Sequence, residues 1–373
     1  VTRRLLFLNN QGIGAIGGGP TILRHLTADL ARDHHVTLAS DDACTGAAFA
    51  ERRLAAFAGP EDARWRIRPW LKARHLARTL GPEVLRDADI VITLDPHFAL
   101  AVAKARPRRL IHLSLSCVTR QEWFGSGGSS AWWYAAQYGL LERRLAAAAA
   151  EIIVASPMHG REMTRFAGCA GRRLHVFSPV FGLPAPPADP RPHGAELVAI
   201  GRFTPVKNLQ ALIPLLRRLP SLRLTLLGEG DDPAPLRRMA EAEGVAGRIA
   251  WVGAVEDPTA WIDRAAILLH PSRYESFGMV VHEAMRRGTV PVVFAQGKGR
   301  MNAATDLVQH GETGLHVDYD APDAAARAIR QLIDAPGRLA EIAARAREAA
   351  ALRDRFDYLG RFRALLDTVA AGA

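Results

Sequence analysis

Two acidic residues eight positions apart, Glu275 and Glu283, bracket a helix start in the stretch HPSRYESFGMVVHEAMRRGTVPVV (270 to 293). The approach AAILLHPS reads as a strand ending at Pro271, and Phe277 to Arg287 reads as a helix stopped by Gly288. At about 100° per residue the two carboxylates would point to within roughly 80° of each other if both were helical, so they could address one ligand. Between them Ser276, Phe277 and Gly278 place backbone N–H groups at the amino end of a helix, where unpaired donors and the macrodipole favour an anion. Carboxylates beside an anion site suit a molecule with hydroxyls flanking phosphates, and a nucleotide sugar is such a molecule. An amphipathic helix with solvated carboxylates has the same spacing, so the flanking residues decide between the two.

Other stretches carry related chemistry. In GRFTPVKNLQALI, Arg202 and Lys207 stand five apart across a turn leading into a helix. Two cations there meet the need of a diphosphate leaving group, whose negative charge builds as the bond to it breaks. The chain has four lysines against 44 arginines, which makes a lysine at this place a stronger signal. The strands LRLTLLGEG and RIAWVG end at glycine turns, the second at Gly253. Near the start, QGIGAIGGGP contains G-x-G-x-x-G at Gly12, Gly14 and Gly17, and the following strand ends at Asp41. That is close to a dinucleotide-binding fingerprint and keeps an NAD(P)-dependent dehydrogenase as an alternative. Against it, the glycines run on through Gly18 and Gly19 to Pro20. The strands ADIVITLDPH and RLIHLSLS end at His97 and His112, at the strand ends where open α/β sheets keep their active groups. A D-x-D at Asp318 and Asp320 has no partner acids nearby and reads as a loop, not a metal site.

The run Y-E-S-F-G-x-x-x-x-E-A-M resembles the signature of retaining glycosyltransferases of family 4 (glycosyl transferases group 1), and G-R-x-x-x-x-K-N resembles that family's diphosphate motif. The resemblance implies an α/β protein of GT-B fold, two doubly wound Rossmann-like domains facing a central cleft. It implies that Glu275 contacts the donor sugar and Glu283 the ribose, with Arg202, Lys207 and the Gly17–Gly18 turn on the diphosphate. His112, in I-H-L-S, matches a histidine beside the anomeric carbon; His97 matches a looser strand-end position. The resemblance also implies that Gly253 lines the base pocket through its backbone. No side-chain nucleophile stands out, so a front-face route in which a donor phosphate oxygen takes the acceptor proton is expected, with no cofactor and no metal. A nucleotide-sugar epimerase or a phosphorylase is the alternative within the fold. Two segments depart from the family: SPVFGL replaces the usual P-N-G-V-D, and QGKGRMNAATDLV is longer than the usual run, with Asp306 at its acid position and Lys298 and Arg300 as candidate extra contacts.

These motifs need two positioning scaffolds. At 373 residues the chain exceeds what one core usually organises. Domains are expected at 1–183 and 195–350, with a proline-rich linker at 184–194 and a final helix at 351–373 packing back on the first. Three widely spaced cysteines without C-x-x-C spacing argue against a disulfide framework or a zinc site. The absence of a long apolar run points to a cytoplasmic protein. Most of the net charge of +10 lies in the first half, where 24 basic residues face 16 acidic ones over residues 1 to 190. Between 64 and 78, Arg64, Arg66, Arg68, Lys72, Arg74 and Arg78 surround Trp65 and Trp70, a composition suited to an anionic membrane surface and a peripheral, lipid-linked acceptor. A sugar or small-molecule acceptor is equally compatible. No nucleic-acid-binding module is recognisable, and the sequence sets no oligomeric state.

Overall fold

The computed structural model describes residues 1–9, 18–40, 50–53, 69–118, 131–169, 173–181, 185–186, 196–230 and 233–372. The chain divides into two units, one of Val1–Phe181 with Asp357–Ala373 and one of Gly182–Phe356.

In the first unit, β1 (Arg4–Leu8), β2 (His35–Ser40), β3 (Ala50–Arg53), β4 (Ile90–Thr93), β5 (Leu110–Leu113), β6 (Glu151–Val154) and β7 (Leu174–Val176) form one sheet in the order β3-β2-β1-β4-β5-β6-β7. Every pairing is parallel. Short apolar runs such as IVIT and LIHL are buried at each position, as strands of a parallel sheet must be when helices cover both faces. Strand order reverses between β1 and β4.

The second unit repeats the plan with β8 (Glu196–Ile200), β9 (Arg223–Leu227), β10 (Ile249–Gly253), β11 (Ile267–His270), β13 (Val290–Phe294) and β15 (Leu315–Val317), in the order β10-β9-β8-β11-β13-β15. Its reversal lies between β8 and β11. A small parallel ribbon, β12 (Tyr274–Glu275) with β14 (Met301–Asn302), stands apart from the main sheet. Each unit has its own apolar core.

Helix ends follow local chemistry. Ser156 caps Pro157–Ala167 by accepting from His159 N at 3.1 Å, and Gly168 closes that helix in the left-handed region. The helix Pro336–Asp354 stays with the second unit, so the return to the first comes at Asp357, not at residue 351. Nothing in the Ala/Arg run breaks the helix earlier, and Asp357 caps the next one, Tyr358–Ala371, by accepting from Gly360 N. That last helix is fastened to the first unit. Arg363 pairs with Asp29 at 2.8 Å and Asp33 at 2.6 Å, Arg109 donates to the carbonyls of Val369 and Ala370, and Tyr358 packs on Phe177 and Phe181. Of the expected linker only Ala185 and Pro186 are described; the Ala185 carbonyl accepts from Arg287 at 3.0 Å.

Candidate active site

The switch point of the second sheet gathers several of the residues singled out above. Pro205–Lys207 forms one 3-10 turn after β8, and Asn208 closes it with φ 54°. Asn208 is buried, and its Nδ2 donates to Pro271 O at 3.2 Å, tying the turn after β8 to the turn after β11. Lys207 Nζ thereby meets Glu275 Oε2 at 2.7 Å. Glu275 lies in β12 and is not helical, so the angle of roughly 80° drawn from helical spacing does not apply. Pairing with β14 aims it instead, with Ala303 N donating to the Glu275 carbonyl at 2.9 Å.

Burial alone would raise the Glu275 pKa. The Lys207 ammonium, the His270 ring, and hydrogen bonds from Lys207 and the Ser276 N–H hold the carboxyl below its usual range. Ser276 N–H thus serves the carboxylate. The open helix-start donors lie further on, where Gly278 sits at φ 98° and a Cβ would come within 3.0 Å of Ala304 Cβ. Val281 N and His282 N turn back to Gly278 O, while the N–H groups of Met279 and Val280 lack an intrahelical carbonyl, as the first turn of any helix does. Phe277 is a buried core side chain, and the helix starts at Met279.

On that helix, Met279–Arg287, Glu283 is half-buried. Burial, then the field of Asp257, pushes its pKa up to about 7. The helix is locked by His282 Nε2 at 2.7 Å and Arg286 Nε at 2.6 Å from opposite oxygens of Asp354. Arg202 is exposed on the turn after β8. Gly201 N donates to Leu227 O, Phe203 N to Glu229 O, and Gly228 N to Gly253 O at 2.7 Å, which brings the three strand ends together. Gly253 has φ 87°, and a Cβ there would lie 3.6 Å from Glu229 Oε1.

The candidate extra contacts divide. Lys298 is exposed. Arg300 bonds Asp318 Oδ1 at 2.7 Å and lies 4.3 Å over the Phe294 ring, while Arg273 pairs with Asp320 and lies over the same ring. The D-x-D carboxylates are therefore arginine partners that clasp the β12–β14 ribbon to the end of β15. Asp306 is exposed on the short helix Ala304–Leu307.

In the first unit, His112 ends β5 beside Thr93 of β4. Its Nδ1 lies 3.2 Å from both the Thr93 hydroxyl and the Thr93 carbonyl. A carbonyl can only accept, so Nδ1 carries the proton and Nε2 keeps the lone pair. Burial lowers the His112 pKa to about 4, which leaves it neutral at physiological pH. His97 is turned inward: Nδ1 lies 2.6 Å from Asp95, and Nε2 lies 3.2 Å from the Tyr138 hydroxyl. Gly18 opens the helix Gly18–Leu30. Gly17 lies outside the described residues, as do Gly12, Gly14, Asp41, Arg64, Trp65, Arg66 and Arg68. Of the basic segment's described part, Trp70 packs on the first core under the Arg144 guanidinium, the charge of Lys72 acts on Asp95, and Arg74 and Arg78 are exposed.

Two residues were not picked out from sequence. His270 ends β11 with Nε2 3.4 Å from Glu275 Oε2, and the strand-end rule that selected His97 and His112 selects it too. Asn208 closes the G-R-x-x-x-x-K-N motif, but nothing in the motif indicates its structural role, which depends on a left-handed backbone and a carbonyl 63 residues away.

Two family models match the chain: Glycosyl transferases group 1 over residues 190–351 and Glycosyltransferase Family 4 over residues 16–180. A lipopolysaccharide core biosynthesis glycosyltransferase, LpsE of Rhizobium meliloti, is 33% identical over 137 residues, 37% of this chain and 39% of that protein. A D-inositol 3-phosphate glycosyltransferase of Catenulispora acidiphila is 32% identical over 225 residues, 54% of this chain and 52% of that one. The chain thus spans between about a third and half the length of such curated relatives. Among solved structures, sucrose-phosphate synthase from Thermosynechococcus elongatus superposes with TM-score 0.83 at 19% identity, covering 100% of both chains. Anabaena HepE in complex with UDP and glucose gives 0.76 at 17% identity, covering 99% of this chain and 100% of that one.

Proposed function

The chain belongs to the glycosyl transferases group 1 of GT-B fold, and from that premise we propose that it moves a sugar from a nucleoside diphosphate sugar, of UDP or GDP type, to a hydroxyl acceptor with retention of anomeric configuration. The observation that carries this reading is the Lys207–Glu275 pair at the switch point of the second sheet, where α/β sheets open their ligand crevice. Lys207 donates to Glu275 in the structure, and its ammonium is the kind of donor that phosphate oxygens would draw toward themselves. Arg202 and the first turn at Met279 add positive potential for the departing diphosphate. Glu275, held ionised, accepts from sugar hydroxyls, and Glu283 accepts from the ribose. Neutral His112 contributes an uncharged edge to the far side of the sugar.

In the reaction, the bond from the anomeric carbon to the phosphate oxygen breaks and the nucleoside diphosphate leaves. The acceptor oxygen bonds to that carbon from the same face, and its proton passes to a donor phosphate oxygen. The cations named above meet the developing charge, so the reading calls for neither cofactor nor metal. UDP and UDP-glucose complexes of HepE support the donor class.

For the acceptor we propose a sugar, small-molecule or lipid-linked hydroxyl. Peripheral contact of residues 64–78 with an anionic cytoplasmic membrane face is supported by exposed Arg74 and Arg78. Among the described residues no helix is long and apolar enough to cross a membrane. The dehydrogenase reading gains no support from either family model.

A thermal-shift screen of UDP, GDP and ADP sugars tests the donor. At a hundredfold excess over Kd an accepted donor stabilises by about 2.7 kcal/mol. Nuclear magnetic resonance of the product from an α-linked donor should show an α-linkage; a β-linkage contradicts retention.

A further inference from the structure

His270 is 3% exposed at the end of β11, and its Nε2 has no hydrogen-bond partner among the described residues. Native interiors rarely leave such a nitrogen unpaired without a functional reason. The atom faces Glu275 Oε2 at 3.4 Å without forming a hydrogen bond to it, while Oε2 accepts from Lys207 Nζ at 2.7 Å. The other ring nitrogen, Nδ1, lies 3.4 Å from the hydroxyl of buried Ser272. A lone pair on Nε2 would be repelled by the carboxylate. The proton therefore sits on Nε2, and Nδ1 accepts from Ser272.

Given the donor class proposed above, a bound diphosphate competes for the Lys207 ammonium. We propose that His270 is a positioning residue whose Nε2–H takes over Glu275 Oε2 when Lys207 engages the diphosphate, keeping the carboxylate aimed at the donor sugar. Of the donors around Glu275, Ser276 N–H is fixed in the backbone, and Lys207 is a long side chain that the proposed diphosphate would also draw on. His270 is the side chain with a spare donor and no competing use.

Two isosteric substitutions separate this role from simple core filling. A glutamine amide nitrogen reaches about where Nε2 stands, and an asparagine amide reaches about where Nδ1 stands. Turnover is followed as nucleotide release with UDP-glucose, UDP-N-acetylglucosamine, GDP-mannose and ADP-glucose, and binding with UDP and GDP. His270→Gln should keep kcat within about threefold, whereas His270→Asn should lose about 10- to 100-fold, the worth of one hydrogen bond to a charged group. Nucleotide Kd should change less than about twofold in both. Equal kcat in the two variants, or a loss confined to nucleotide affinity, overturns the role. In wild-type protein, imidazole nitrogen-15 shifts should report a neutral Nε2–H tautomer at His270, and a Nδ1–H tautomer also overturns it. If none of the four donors is turned over, the proposed function fails, while the tautomer still decides the His270–Glu275 contact.

Discussion

At the scale of single residues, the two carboxylates of the candidate site have their pKa values shifted in opposite directions. Glu275 is kept ionised by Lys207 despite burial, while burial and Asp257 push Glu283 up to about 7. The sign of the Glu283 effect follows from linkage. A carboxyl whose folded pKa is raised favours the fold at low pH, and that contribution is lost as pH rises from 4.5 through about 7. In the role proposed for Glu283, accepting from the ribose hydroxyls would call for the same ionisation. Glu283→Gln should therefore raise the melting temperature at pH 8 while weakening nucleotide binding there. In wild type, affinity should climb between pH 6 and 8, and in the variant it should be flat across that range; a flat wild-type profile would contradict the assignment. Sequence spacing singled out both acids. It could not show their difference, because that depends on burial and on Asp257, which is distant in sequence.

At the scale of elements, three turns at the carboxyl ends of β8, β9 and β10 lean on each other. Gly228 has φ 127°, and a Cβ there would lie 2.0 Å from the Gly201 carbonyl oxygen, a backbone atom with nowhere to move. Gly228→Ala should cost on the order of 1–3 kcal/mol from backbone strain alone, with more from the clash, and should displace the turn carrying Arg202. Urea unfolding of the second unit checks it; a midpoint equal to wild type would contradict the packing. Strands, the helix at Met279–Arg287 and its Gly288 stop were legible from apolar runs and glycine punctuation. The β12–β14 ribbon was not. Its two-residue strands carry no periodicity, and the Arg273, Arg300, Asp318 and Asp320 clasp that holds it joins residues of three separate segments. The pairing of Arg300 with Asp318 was for the same reason not legible.

At the scale of the whole chain, two Rossmann-like units were legible from alternating strands and helices, and the family from two motifs in the second. The first unit depends on a helix from the far end of the sequence. Tyr358, Phe362 and Leu366 are buried there, each worth roughly 1.5–3 kcal/mol, against about 5–15 kcal/mol for a whole domain. Deleting Asp357–Ala373 should strip hydrogen-exchange protection from β1 to β7 while β8 to β15 keep theirs; unchanged protection in the first sheet would contradict the division. The central claim is narrower, that Lys207 at the second sheet's reversal grips the diphosphate of a sugar donor. Calorimetric titration of wild type and Lys207→Ala with the nucleoside diphosphate of the accepted donor, and with its monophosphate, tests it most directly. The account predicts that diphosphate affinity falls about 10- to 100-fold and monophosphate affinity less than about threefold. Equal losses for the two ligands, or no loss for the diphosphate, would contradict it.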